Sequence, residues 1–118
     1  MLNYSKTCPA YGCYKLFQSC TKIINTPTFD AEFVGEHGYE SMFQSCSGLI
    51  TALELPAKVL YPEACKRMFY KCTSLENAPK LLTTTLANNC YSSMFRECTS
   101  LAQAPELPAT KLAERCYY

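Results

Sequence analysis

Nine cysteines and one histidine are the side chains in this 118-residue sequence best suited to nucleophilic chemistry or metal binding. Thiolate sulfurs and imidazole nitrogens bind zinc, and a cysteine held beside a histidine can act as a nucleophile. The sequence contains no Cys-x-x-Cys, and His37 lies between Gly35 and Gly38 in a stretch typical of an exposed turn. We therefore expect no metal site and no catalytic Cys–His pair.

Other motifs that support catalysis or cofactor binding are also missing from the sequence. It has no glycine-rich phosphate loop, no Ser-His-Asp candidate and no paired carboxylates. The prediction is a protein that is not an enzyme, with no catalytic residue, no cofactor-binding residue and no cofactor.

The cysteines instead recur with a fixed period of 26. The recurring positions are Cys20, Cys46, Cys72 and Cys98, preceded by Phe17, Phe43, Phe69 and Phe95 and followed by Ile23, Leu49, Leu75 and Leu101. Residues 64–89 and 90–115 are identical at 12 of 26 positions without a gap. We interpret this set as a structural ladder. The chain then divides into an N-terminal edge or partial cap (1–11), four repeats (12–37, 38–63, 64–89 and 90–115) and the start of another (116–118).

A period in the twenties is typical of a solenoid, in which each coil buries its apolar residues only against neighbouring coils. Apolar residues at i, i+4 and i+1, i+5 offsets predict a short helix over roughly 85–96. Pro105 and Pro108 exclude a long helix from the following stretch, which we expect to be extended. The predicted fold is an α/β solenoid of about four and a half coils, a leucine-rich-repeat stack with short parallel strands and short helical segments.

The cysteine ladder has two interpretations. Free thiols can fill buried positions as small hydrophobic groups, which we favour. Disulfides between coils about 4.8 Å apart would be strained, because bonded cysteines have Cβ atoms about 3.8 Å apart. A Cys8–Cys13 bridge is a lesser alternative, and the odd total leaves at least one thiol free or paired with another chain.

The motif Met-Phe-x-x-Cys-Thr-Ser-Leu, at 68–75 and 94–101, resembles the BspA-like leucine-rich repeat. Two further elements, Ala-Pro-x-Leu and Leu-Ala-x-x-Cys-Tyr, resemble a variant found in surface proteins of gut bacteria. The resemblance extends over 12–118, with a period longer than the family's commonest length. It implies adhesion or protein recognition at a bacterial cell surface or in a secreted protein. Similar repeats in virion proteins imply an alternative, a structural or fibre-type component of a virion or other assembly.

Composition limits the partners that we expect. A net charge of +1 with scattered basic residues gives no electrostatic reason for nucleic acid binding. No apolar stretch approaches the roughly 20 residues of a membrane span, so we expect no membrane insertion. No signal peptide is visible, although the resemblance implies a cell-surface or extracellular location, or alternatively a virion.

Charged residues at matched positions vary between repeats. They are Lys58, Lys66, Arg67, Lys71, Glu76, Lys80, Arg96, Glu97, Glu106 and Lys111. Such variation is typical of a solvated face and also of a recognition face. We expect the partner to be a protein or glycan ligand. Other subunits are a further expectation, because no capping sequence follows Cys116 and the C-terminal end of the stack would be open. We therefore expect a fragment of a longer protein or a chain that docks on another subunit.

Overall fold

A computed structural model of the chain describes residues 7–83 and 87–101. Within these residues, strands β1 (Thr7–Cys8), β2 (Phe33–Val34) and β3 (Val59–Leu60) form one parallel sheet in that order. β1 pairs with β2, and β2 with β3, and the paired residues are one repeat length apart along the chain. Isolated parallel bridges join Asn25 to Thr51, Thr51 to Asn77, and Leu55 to Leu81 at the same offset.

The sheet lies where a helix was expected to begin. The expected extended stretch after Leu101 lies outside the described residues, and its counterparts in the earlier repeats contain only the isolated bridges. Strand pairs 33–34 and 59–60 correspond to 85–86 one repeat later, at the start of the predicted helix over 85–96. Residues 88–96 form successive turns, and no helix occurs within the described parts of the chain. None of those parts therefore offers a helix that could span a membrane.

Four stretches of such turns, residues 9–20, 35–46, 61–72 and 87–98, are here called the turn segments. Each 26-residue repeat is here called a coil. In 61–72, the amides of Arg67 and Phe69 donate to the carbonyls of Ser92 and Met94 in the next coil, at 2.9 and 3.0 Å. The intervening Met68 amide donates to Cys65, three residues back, at 3.1 Å. An α-helix directs each amide four residues back along its own axis. Alternate amides here are committed to the next coil, which is the physical reason that a helix does not form.

A left-handed backbone conformation recurs at every fourth residue of each turn segment. In 61–72 it occurs at Glu63, Arg67 and Lys71, with φ angles of 60°, 54° and 62°. The other segments repeat it at Tyr11, Lys15, Ser19, His37, Ser41, Ser45, Asn89, Ser93 and Glu97. Because residues with a Cβ are strained in this conformation, it persists only where surrounding hydrogen bonds impose it.

The turn segments bury the same side chains in successive coils. Phe43 and Phe69 are fully buried, and stacked ring pairs run from Phe17 through both to Phe95. The ring centroids are 5.3, 5.6 and 5.8 Å apart along this series, and the last two pairs are within 3° of parallel. Offset aromatic contacts of this length stabilise a core beyond the area they bury. The phenylalanine positions thus form a continuous stack through the described coils.

The thiols of the cysteine ladder link each coil to the preceding one. Sγ of Cys46, Cys72 and Cys98 each donates to a phenylalanine carbonyl 29 residues back, at 3.0 Å in every case. The Phe43 carbonyl, for example, accepts both the Cys72 thiol and the Cys46 amide at 3.1 Å. A carbonyl oxygen has two lone pairs, so both donors can be accommodated. Cysteine therefore acts here as a small core residue that also satisfies a buried acceptor.

Buried hydroxyl groups also bond between coils. Thr83 Oγ1 donates to the Ala57 carbonyl at 2.6 Å, and Thr26 Oγ1 accepts from the Leu53 amide at 2.9 Å. Each threonine is almost fully buried, so an unsatisfied hydroxyl would cost free energy. These bonds fix the extended stretches against each other, where backbone bridges are few.

Candidate functional site

The outer face of the turn segments shows side chains that change from coil to coil on a repeated backbone. The position of Lys71 is held by Ser19, Ser45 and Glu97 in the other coils, all at positive φ and all exposed or half-buried. The buried phenylalanine and cysteine positions are constant in type over the same coils. A constant interior with a variable exterior is the arrangement that repeat proteins use for binding surfaces.

In the third turn segment this outer face carries a cationic aromatic cluster of Arg67, Tyr70 and Lys71. The Arg67 guanidinium carbon lies 5.9 Å from the centroid of the Tyr70 ring, and Lys71 Nζ lies 5.3 Å from it. Arg67 and Lys71 are exposed and Tyr70 is half-buried. Two cations held beside an aromatic ring can contact an anionic group and pack against an apolar or sugar surface.

A second polar cluster surrounds His37. Its Nδ1 contacts Glu40, and its Nε2 lies 2.9 Å from Oε2 of Glu63 and 3.9 Å from Oε1 of Glu36. The Tyr11 ring stacks on the imidazole with centroids 4.7 Å apart. Tyr11, His37 and Glu63 occupy the same position in successive coils, so the stacking of coils places them side by side.

This cluster differs from the expectation that His37 lies on an exposed turn. Its side chain is 16% exposed, and those of Glu40 and Glu63 are 13% and 26% exposed. Motifs along the chain do not pair His37 with Glu63, because the two residues are close only across repeats. The signal was present, since Glu63 follows His37 by one repeat length.

The described ladder thiols are poor candidates for redox or nucleophilic chemistry. Cys46, Cys72 and Cys98 are buried free thiols. Burial raises the pKa of the Cys72 thiol to about 12 and that of Cys98 to about 11. Burial likewise raises the pKa values of Cys46 and Cys65. Because the thiolate is the reactive form, these groups stay inert near neutral pH.

The raised thiol pKa values predict an alkaline loss of stability. Above pH 9.0, the ordinary pKa of the thiol, the unfolded chain releases a proton that folded Cys72 retains until about pH 12. The stability that the raised Cys72 pKa contributes is complete below pH 9 and is lost as pH rises from 9 to about 12. Between pH 8 and pH 10, ionisation of each such thiol in the unfolded chain lowers the free energy of unfolding by about 1.4 kcal/mol. Urea denaturation of the reduced protein at both pH values measures the loss.

A matched pair of variants isolates the Cys72 contribution. Cys72→Ala should lose about 1.4 kcal/mol less than the parent protein between these pH values. The neighbouring Thr73→Ala changes an exposed residue and should keep the parental loss. Equal losses in the parent and Cys72→Ala would show that the Cys72 thiol already ionises freely in the folded state.

The predicted ladder residues fall into two groups in the described coils. Cys46, Cys72, Cys98, Phe43, Phe69, Leu49 and Leu75 are buried, whereas Cys20, Phe17, Phe95, Ile23 and Leu101 are partly buried and pack against that core. Several named expectations lie outside the described residues: Pro105, Glu106, Pro108, Lys111 and Cys116, the expected open C-terminal end and the last repeat beyond Leu101. The same holds for 1–6 of the expected cap and for 85–86 of the expected helix.

Comparison of the chain with protein-family models, curated proteins and solved structures finds no match.

Proposed function

We propose that the chain is a non-enzymatic recognition module, a solenoid of repeated coils that binds a protein or glycan at a bacterial surface or in a secreted protein. The observation that carries the proposal is a contrast on one repeated backbone. The buried phenylalanine and cysteine positions are constant, whereas the exposed or half-buried position of Ser19, Ser45, Lys71 and Glu97 varies. The inter-coil hydrogen bonds support it further, because they hold the outer side chains at fixed spacing. A rigid surface loses less entropy on binding than a flexible one.

The cluster of Arg67, Tyr70 and Lys71 is the proposed contact surface. Its two cations favour an anionic group on the partner, such as a sulfated or uronic-acid sugar or an acidic protein side chain. The Tyr70 ring supplies apolar area with a polar tip, the combination that is enriched at interfaces. Near-neutral net charge makes such binding local rather than a general attraction to polyanions.

The test replaces the cluster with residues that the preceding coil already carries at the same positions. The variant Arg67→Ser, Tyr70→Gln, Lys71→Ser copies Ser41, Gln44 and Ser45 into the third turn segment. Binding to arrays of sulfated, uronic-acid and neutral glycans and of extracellular matrix proteins is measured for parent and variant. We expect an anionic ligand to bind the parent, and the variant to lose about 10-fold or more in affinity, equivalent to about 1.4 kcal/mol.

A control separates the cluster from charge in general. Lys58→Ser with Lys80→Ser removes two exposed cations from the extended stretches and should keep parental binding. Circular dichroism and urea midpoints of both variants check folding. Absence of binding by the parent on all arrays, or equal binding by parent and cluster variant, would refute the proposed contact surface.

A structural role in a virion or other assembly is the second candidate, and one observation favours it. Leu16 is 56% exposed, whereas Met42 at the same position in the next coil is 4% exposed. Tyr11, just before the first repeat, and Ile24 within it are exposed as well. An exposed apolar surface of this kind suits a contact with another subunit. Sedimentation that shows self-association, abolished by Leu16→Glu, would favour this candidate over the first.

A further inference from the structure

We propose that His37, Glu40 and Glu63 bind a divalent first-row transition metal ion. Among these ions, Zn²⁺ matches the ligand types best and serves as the probe. One ring nitrogen and one oxygen from each carboxylate lie within 4.8 Å of one another. Zinc–nitrogen and zinc–oxygen bonds of about 2.0–2.2 Å place tetrahedral ligands about 3.3 Å apart. Glu63 already faces Nε2 at 2.9 Å, so an ion bound to Nε2 would require Glu40 to turn from Nδ1 toward the same ion.

The contacts of the two His37 ring nitrogens allow a metal ion to take the place of the proton on one of them. Both ring nitrogens face carboxylate oxygens, through Nδ1 to Glu40 and through Nε2 to Glu63. A neutral imidazole has one N–H and can satisfy only one of them as a donor. The ring nitrogen without a hydrogen and the carboxylate oxygen that faces it are then two acceptors in contact. A metal ion between them would be bound by both.

Charge in the cluster matches a divalent cation. Glu36, Glu40 and Glu63 carry three negative charges, and Lys66 Nζ, 3.2 Å from Oε1 of Glu63, carries one positive charge. The balance of two negative charges on these four side chains equals in size the charge of a divalent ion. Lys66 contacts Oε1 of Glu63, whereas Oε2 faces the histidine, so one oxygen stays directed at the site.

The ligand types and their burial favour zinc, cobalt or nickel over calcium and magnesium. Imidazole nitrogen is a ligand of the transition metals, whereas calcium sites use six to eight oxygens. The three side chains are partly buried, with exposures between 13% and 26%, so they are less hydrated than surface groups yet open to an entering ion. Tyr11 stacks on the imidazole and fixes its plane.

The ion would join two coils of the stack. His37 ends the first repeat and Glu63 ends the second, both at left-handed turn positions with φ angles of 59° and 60°. Binding to the folded chain alone would raise its stability with metal concentration by mass action. This inference is independent of the proposed recognition surface, which lies at other turn positions.

Cobalt titration of the reduced whole chain tests the site. We expect one Co²⁺ per chain, visible d–d bands, and no thiolate-to-cobalt charge-transfer band, because the ligands are nitrogen and oxygen. Zn²⁺ should displace the cobalt and raise the melting temperature. His37→Gln and Glu40→Gln should each weaken Zn²⁺ binding by about 10-fold or more.

Glu97→Gln is the matched control. Glu97 occupies a left-handed turn position with a φ of 61°, as Glu63 does, but lies in another column of the turn segments. Its removal should leave zinc affinity unchanged. A thiolate charge-transfer band, unchanged affinity in either ligand variant, or no Co²⁺ binding at millimolar concentration would each overturn the proposal. Melting of the metal-free variants shows that a loss of binding is not a loss of folding.

Discussion

Replacing Phe43 with alanine is expected to lower the free energy of unfolding by about 3–5 kcal/mol. Phe43 is fully buried, and its ring lies 5.3 Å from Phe17 and 5.6 Å from Phe69 in neighbouring coils. Phe29 packs edge-on against it at 6.1 Å. The side chain therefore contributes to two inter-coil contacts at once, and its removal leaves a cavity that the regular backbone cannot collapse to fill.

Urea denaturation followed by circular dichroism measures the effect, since the chain has no tryptophan. Tyr61→Ala removes an aromatic ring that is 50% exposed and should change stability by no more than about 1 kcal/mol. Phe43→Leu keeps most of the volume, so it remains measurable if the alanine variant does not fold. A loss below about 1.5 kcal/mol for Phe43→Ala would contradict a continuous phenylalanine stack.

The period of 26 could be predicted from the sequence because the same side-chain types recur at that spacing. Phenylalanine and cysteine recur once in every repeat, and the described strands and bridges pair at that same offset. Burial selects for shape and polarity, so a repeated buried environment leaves a repeated residue type. The residue types that recur in the sequence are therefore those that form the interior of the coils.

The backbone of the turn segments could not be predicted in the same way. Buried residues at Gly38, Met42 and Cys46 have a spacing of four, which is close to the 3.6 residues of a helical turn. Over eight residues the two periods differ by about 80°, a small signal in so short a segment. The left-handed residues gave no signal either, because glycine is the usual marker and no described glycine has a positive φ.

The His37 cluster was missed for a related reason. Its members are three residues apart along the chain and one repeat apart across coils. Catalytic and metal-binding motifs are defined by short spacings along the chain, whereas His37 and Glu63 are one repeat apart. In a repeat protein, a polar site can be assembled from residues one period apart, so each titratable residue has to be compared with its counterparts in adjacent coils.

Arg67→Pro is expected to lower the free energy of unfolding by at least about 3 kcal/mol, although the Arg67 side chain is exposed. The Arg67 amide donates to the Ser92 carbonyl in the next coil at 2.9 Å, and proline has no amide hydrogen. Its ring also fixes φ near −65°, whereas Arg67 has a φ of 54°. The turn segment would have to break its contact with the next coil to accommodate the change.

Glycine and alanine at position 67 distinguish the observed turns from the expected helix. At a φ of 54°, Arg67→Gly should be more stable than Arg67→Ala by about 1 kcal/mol, because alanine keeps the strained Cβ. In a helix the order would be reversed by about the same amount, because glycine there is the poorer residue. The midpoints of urea unfolding of the two variants decide between these outcomes. A more stable alanine variant would require a helical backbone at position 67, and the alternating hydrogen bonds between coils could not then form.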